Sequence, residues 1–188
     1  RKFASPKHFD PIRCFLPDFD AHLFANLLNN RPLYFIGDSV MMQQKTRLRC
    51  ELKYEPGVQI YGVRISHRKH LRNALRKLEK IPAEAIILIN VGLHYNDEVQ
   101  YVNFLQEFEK VCLQKKCTKG SFIWQETAAQ HFPNSNTGYF RKHGRCVKGC
   151  TRINRDKMIS ADFRNRMANE VMMEYGIPIL PVFELTQD

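Results

Sequence analysis

In this chain of 188 residues, Gly37-Asp38-Ser39 is the first place where residue type and position together suggest chemistry. It follows Pro32-Leu33-Tyr34-Phe35-Ile36, a compact apolar run with the pattern of a buried parallel strand. It precedes Ser39–Cys50, which lacks Pro and Gly and reads as a helix. A strand that turns sharply into a helix exposes the helix's first hydroxyl and aims free N–H groups at whatever reacts there. Ser39 is therefore a candidate nucleophile, with Gly37 permitting the tight backbone and Asp38 bonding within the turn. As plain helix caps, Asp38 and Ser39 would look the same locally. A second block, Asn90-Val91-Gly92-Leu93-His94-Tyr95, closes another apolar run, Ala85–Asn90. Acyl transfer needs donors aimed at the developing oxyanion, and Asn90 or His94 with the Ser39 N–H could supply them. Taken alone, Asn90 reads as a strand-end cap and His94 as a surface histidine. Trp124 could stack on a sugar ring, although core packing is the commoner fate of a lone Trp. His131 lies in a loop of the same rim.

These residues need a scaffold, and the periodicity supplies one. Asp20–Asn30 reads as a helix capped by Asp20, with Leu23, Phe24, Leu27 and Leu28 on one face. Val58–Val63 reads as a strand, and Ser66–Lys80 as a basic helix burying Leu71, Leu75 and Leu78. Glu98–Leu113 should be a helix with Val102, Leu105, Phe108 and Cys112 inward, followed by the strand Ser121–Gln125. Ser160–Tyr175 is a helix stopped by Gly176, and Ile177–Phe183 the last strand. Strand and helix alternate from Pro32 onward, which predicts an α/β fold: a three-layer α/β/α sandwich on a mainly parallel, doubly wound sheet, one domain over residues 1–188. Ligands of such sheets bind at the carboxyl ends of the strands. Gly37–Ser39, Asn90–Tyr95 and Trp124–His131 all fall on that rim.

Charge and cysteine content narrow the partners. Lys and Arg number 29 against 19 Asp and Glu, a net charge of +10. Arg64–Lys80 and Arg141–Lys157 each hold seven Lys/Arg and one acid. Such fields attract anionic partners, although a solvated helix face and a solvated loop are the plainer reading. Neither cluster adjoins a zinc-finger spacing or an RNP-like aromatic strand, so nucleic acid is not expected. Arg141, at the start of the loop cluster, is a candidate substrate contact; Arg64–Lys80 is expected on a helix face away from the rim. The six cysteines at 14, 50, 112, 117, 146 and 150 form no C-x-x-C pair, and Cys146-x3-Cys150 is weak evidence for zinc. Two or three disulfides in an oxidising compartment are expected, with buried free thiols the alternative. No apolar run approaches the ~20 residues of a membrane span.

The ordered set of blocks resembles the PC-esterase group of the GDSL/SGNH hydrolase superfamily, which includes the trichome-birefringence-like polysaccharide O-acetyltransferases. The resemblance is carried by Cys14-Phe15-Leu16-Pro17, Tyr34-Phe35-Ile36-Gly37-Asp38-Ser39, Gln43-Gln44 and Cys50. Further on it is carried by Asn90-Val91-Gly92-Leu93-His94-Tyr95, Thr127-Ala128-Ala129-Gln130-His131-Phe132 and Cys146. Gln43 stands where the group has Asn, and one extra residue precedes His94. The resemblance implies a serine O-acetyltransferase or esterase acting on carbohydrate, with Ser39 as nucleophile. Gly37, Asp38, Asn90, Gly92 and His94 would support the oxyanion, and Trp124, His131 and Arg141 would contact substrate. It implies no metal or redox cofactor, an acyl donor such as acetyl-CoA or an acetylated intermediate, and a monomer whose carbohydrate partner could be acidic. Members work in the Golgi lumen or along the secretory pathway, often behind an N-terminal anchor. A noncatalytic carbohydrate- or polyanion-binding member of the same fold is the alternative.

The group carries its general base and orienting acid in an Asp-x-x-His motif near the C-terminus, and none follows Ser39 here. Either the chain is truncated before that motif, or the base lies elsewhere, with His131 the best internal substitute, or the protein is inactive. A serine hydroxyl is a poor nucleophile until a base takes its proton. Residues 1–188 alone should hydrolyse p-nitrophenyl acetate with at most the ~10³–10⁴-fold residual advantage over water that an oxyanion site keeps without its base. A steady-state assay of this chain checks that expectation, and a full enzymatic rate would move the base onto His94 or His131.

Overall fold

The computed structural model describes residues 18–65, 68–95, 97–114, 116, 120–129, 141–142, 145–146 and 163–186. Five parallel strands form one sheet: β1 (Leu33–Gly37), β2 (Ile60–Arg64), β3 (Ile86–Asn90), β4 (Ser121–Gln125) and, beyond a separate antiparallel pair, β7 (Ile179–Leu180). Their order is β2-β1-β3-β4-β7. The antiparallel pair joins β5 (Arg141–Lys142) to β6 (Arg145–Cys146). Helices α1 (Ala21–Leu28) and α2 (Ser39–Glu51) cover one face of the sheet, while α3 (Arg68–Leu78), α4 (Glu98–Phe108) and α5 (Phe163–Glu174) cover the other. This is the expected α/β/α sandwich.

Strand alternation divides the core between the two faces. Ile36, Ile87, Ile89 and Trp124 point to the α3–α5 side with Leu71, Leu78, Phe104, Phe108 and Met172. Leu33 and Phe35 point to the α1–α2 side with Leu28 and Met41. That second side is thinner. Leu23 and Leu27, expected inward, are 54% and 72% exposed, and an apolar groove of about 940 Å³ runs between Leu27, Leu48, Leu88 and Ile123.

Several elements depart from the sequence reading. The last strand is two residues long rather than Ile177–Phe183, because Pro178 and Pro181 flank it and neither can donate to a ladder. In α4 the buried side chains are Tyr101, Phe104, Leu105 and Phe108, and Val102 is only half-buried. A π-helical turn, Glu109–Leu113, then rotates the register and still carries Cys112 into the core. Gly176 ends α5 as expected, with φ +63° and its N–H on the Met173 carbonyl. The expectation that all six cysteines pair is corrected, although Cys112 is disulfide-bonded. Cys50, on the outward side of α2, is an exposed free thiol, and no disulfide joins two of the described residues. With one of the six cysteines unpaired, the three-bridge arrangement is excluded.

Gly37 is the tightest point of the sheet. Its φ is +151°, and a Cβ there would collide with the Asn90 carbonyl oxygen and stand 2.6 Å from Met41 Cγ. The backbone of β1 can leave the sheet for α2 only because nothing occupies that space. Gly37→Ala should therefore cost more than about 2 kcal/mol, combining an unfavourable φ with displacement of β3 backbone. Urea unfolding of the variant beside wild type measures it.

Candidate functional site

Asp38 makes the turn. It adopts an extended backbone, φ −81° and ψ −160°, and its Oδ1 accepts the Val40 N–H at 2.9 Å, so it caps α2. The side chain is fully buried, unusual for a carboxylate. Burial pushes its carboxyl above the ordinary 3.8, while the backbone N–H groups of Val40, Leu93 and Met41, with nearby His94, pull it partly back. Those contributors come from both rim loops, so the carboxylate sits between the α2 turn and the loop after β3.

Ser39 is the first residue of α2 and is half-buried. Its hydroxyl makes no hydrogen bond to any described residue. Position and freedom together leave Oγ available at a helix N-terminus, where N–H groups lack helical acceptors. Gly37 lies across from Asn90 in the β1–β3 register, which brings the two rim blocks side by side.

The 91–95 loop is held from every side. Tyr101 Oη donates to the Val91 carbonyl at 2.8 Å, and the buried Arg164 Nε donates to the Tyr95 carbonyl at 2.6 Å. The Tyr95 N–H closes a turn onto the Gly92 carbonyl. Gly92 packs so closely on Thr127 that a Cβ would strike its hydroxyl. Asn90 Nδ2 donates to the Gln125 carbonyl at 2.8 Å and the Thr127 hydroxyl at 3.1 Å, tying β3 to the end of β4. Asn165 completes the lacing: its Oδ1 accepts the Thr127 N–H at 2.7 Å and its Nδ2 donates to the Thr127 carbonyl at 2.9 Å.

Sequence and structure agree on the rim and differ on individual roles. Gly37, Asp38, Ser39, Asn90, Gly92 and His94 gather at the carboxyl ends of β1 and β3, with His94 partly exposed. The Asn90 amide uses both donors inside the protein, so its place is in the scaffold under the rim. Trp124 is corrected: it is 1% exposed and packs on Phe108 in the core, leaving no face for a sugar. His131 lies outside the described residues. Arg141 begins β5, and its side chain is likewise outside them. Arg164 and Asn165 were missed because charged and amide residues on a helix read as solvent-facing. The stripe Ala168–Met172, extended four residues back, falls on Arg164 and carried the signal.

Among the described residues, no group of three or more His, Cys, Asp or Glu is arranged to hold a metal ion. No described helix is long and apolar enough to cross a membrane.

No family model matches the chain. No curated protein matches it either. Solved structures do. A protein assigned as an acylhydrolase from Bacteroides fragilis superposes with a TM-score of 0.50 at 12% identity, covering 90% of this chain and 80% of its own. A GDSL-like lipase from Bacteroides thetaiotaomicron gives 0.49 at 11% identity over 86% and 77% of the two chains. An acetyl xylan esterase, AlAXEase, gives 0.46 at 12% identity over 84% and 79%. At 12% identity the first likeness shows the fold alone, a three-layer α/β/α sandwich, and the lower scores add no argument.

The raised pKa of Asp38 has a signed consequence. A carboxyl whose folded pKa lies above its unfolded value binds its proton more tightly when folded. Its contribution is therefore full below the unfolded value and is lost as pH rises through the folded pKa. Asp38→Asn, which cannot ionise, should gain stability relative to wild type as pH climbs from 3.8 toward neutrality. Paired urea titrations of the two proteins across that range check the sign, and parallel curves would contradict it.

Proposed function

We propose that this protein is a serine-dependent O-acyl esterase or transferase acting on carbohydrate, with Ser39 as the nucleophile. The observation that carries the reading is the Gly37-Asp38-Ser39 turn itself. A half-buried serine whose hydroxyl bonds to no described residue opens a helix directly after a core strand, beside a second rim loop held by hydrogen bonds. The acylhydrolase-like sandwich accords with such a site. The carbohydrate half of the reading rests on the ordered motif set from Cys14 to Cys146.

In the proposed reaction Ser39 Oγ attacks the acyl carbonyl carbon while its proton passes to a histidine base. The tetrahedral oxyanion falls against the Ser39 N–H and the 91–95 loop, where fixed donors act without reorganising. Collapse expels the leaving group, protonated by the same base, and leaves an acyl-serine. Attack by water or a sugar hydroxyl then releases the acyl group and restores Oγ–H.

A fluorophosphonate probe followed by peptide mapping tests the assignment. The adduct should sit on Ser39 and vanish in Ser39→Ala, and whatever acyl turnover the wild-type protein shows should fall with it. Labelling that persists in Ser39→Ala overturns it.

A further inference from the structure

The helical pattern of the basic segment 64–80 predicts a face away from the rim, and the structure brings one end of it there. Arg64 ends β2 and stands across from Gly37, only two residues before Ser39 on the adjacent strand. The Ile65 N–H donates to the Gly37 carbonyl at 2.7 Å, fixing that proximity. Adjacent strands lie about 4.8 Å apart. From this point α3 packs across the face of the sheet against β2, its edge strand.

Between β2 and α3 lies a cleft of about 190 Å³ lined by Val63, Arg64, His70, Asn73, Ala74 and Lys77. The sequence accounts for its shape. His70, Asn73, Ala74 and Lys77 fall at i, i+3, i+4 and i+7, one stripe of α3. Ala74 and Val63 are buried and form an apolar floor, and the small Ala side chain leaves the depression above it. Lys77, Asn73 and Arg64 are exposed at its walls, with His70 partly so. The stripe spans about 10 Å.

The electrostatics are one-sided. Over its 11 residues α3 carries no acid, and Arg72, on another side, reaches Glu107 at 3.9 Å. Neither Arg64 nor Lys77 forms an ion pair with a described residue. A solvated helix face would account for charge alone. It does not account for a cleft whose cationic and amide walls converge on an apolar floor and whose Arg64 stands across from Gly37, two residues before Ser39. Cations above, an amide between and an apolar strip below suit a sugar ring bearing an anionic substituent.

We propose that this cleft is a subsite for an anionic saccharide chain carrying carboxylate or sulfate groups, held by Arg64 and Lys77 along the edge of β2 and delivered toward Ser39. The inference deepens the acyl-transfer reading and rests on it only for the chemistry after binding.

Binding is therefore measured in the Ser39→Ala protein, where chemistry is absent. Titration calorimetry at low and high salt uses a polygalacturonate oligomer, a heparin oligosaccharide, a neutral xylo-oligosaccharide and a single-stranded oligonucleotide. One or both anionic saccharides should bind, the carboxylated or sulfated one identifying the group recognised. Arg64→Gln combined with Lys77→Gln should weaken that binding about tenfold and flatten its salt dependence. Lys110→Gln, outside the cleft, should leave it unchanged. Unchanged saccharide binding in the double variant overturns the inference, as does equal binding of the neutral oligomer. Tighter binding of the oligonucleotide than of either saccharide, lost in the same variant, overturns it in favour of nucleic acid. Saccharide binding without Ser39 labelling would instead retire the acyl-transfer reading and leave the subsite standing.

Discussion

A single buried carboxylate holds the working end of this protein together. Asp38 is closed to solvent, caps α2, and lies against backbone N–H groups from both that helix and the loop after β3. Enclosing a carboxylate costs heavily unless donors face it: here Oδ1 accepts the Val40 N–H, while the buried Oδ2 has no hydrogen-bond partner among the described residues. The turn that presents Ser39 and the loop that faces it therefore share one anchor.

Beneath that anchor runs a layer of buried polar residues. Asn90, Thr127, Asn165 and Arg164 connect the ends of β3 and β4 to the start of α5 through hydrogen bonds of 2.6 to 3.1 Å. In a low-dielectric interior each unsatisfied partner would be costly, so the network tolerates few alternative arrangements. Rigidity of this kind suits a site whose donors must already point at charge as it forms. It also constrains packing: Gly37 and Gly92 have no side chain because strand and threonine press directly on them.

The two faces of the sheet are built unequally. The α3–α5 side carries an aromatic run in which Tyr95, Tyr101, Phe104, Phe108 and Trp124 meet ring to ring, giving the sandwich most of its buried mass. Among the described residues, the α1–α2 side buries four large residues, with an apolar groove beside them. The candidate rim lies at the carboxyl ends of β1 and β3, with β3 the central strand of the sheet and β2 an edge strand beside β1.

The sequence by itself determined the order of strands and helices, because buried parallel strands and amphipathic helices leave different periods in the chain. β4 matches its predicted bounds, and β1, β3 and α2 lie within a residue or so of theirs. It also marked Gly37-Asp38-Ser39, since a tight strand-to-helix turn has few residue solutions. Tertiary structure decided what local pattern cannot encode. Trp124 and the Asn90 amide have the chemistry of substrate contacts, and only packing against Phe108 and Thr127 assigns them to the interior. Arg164 and Asn165 look solvated on a helix until the ends of other strands supply their partners. Cys50 belongs to an even set of cysteines, yet the outward face of α2 leaves it single. Arg64 reaches the rim because β2 pairs with β1 in one particular register, a relation between distant segments that no stretch of the chain contains alone.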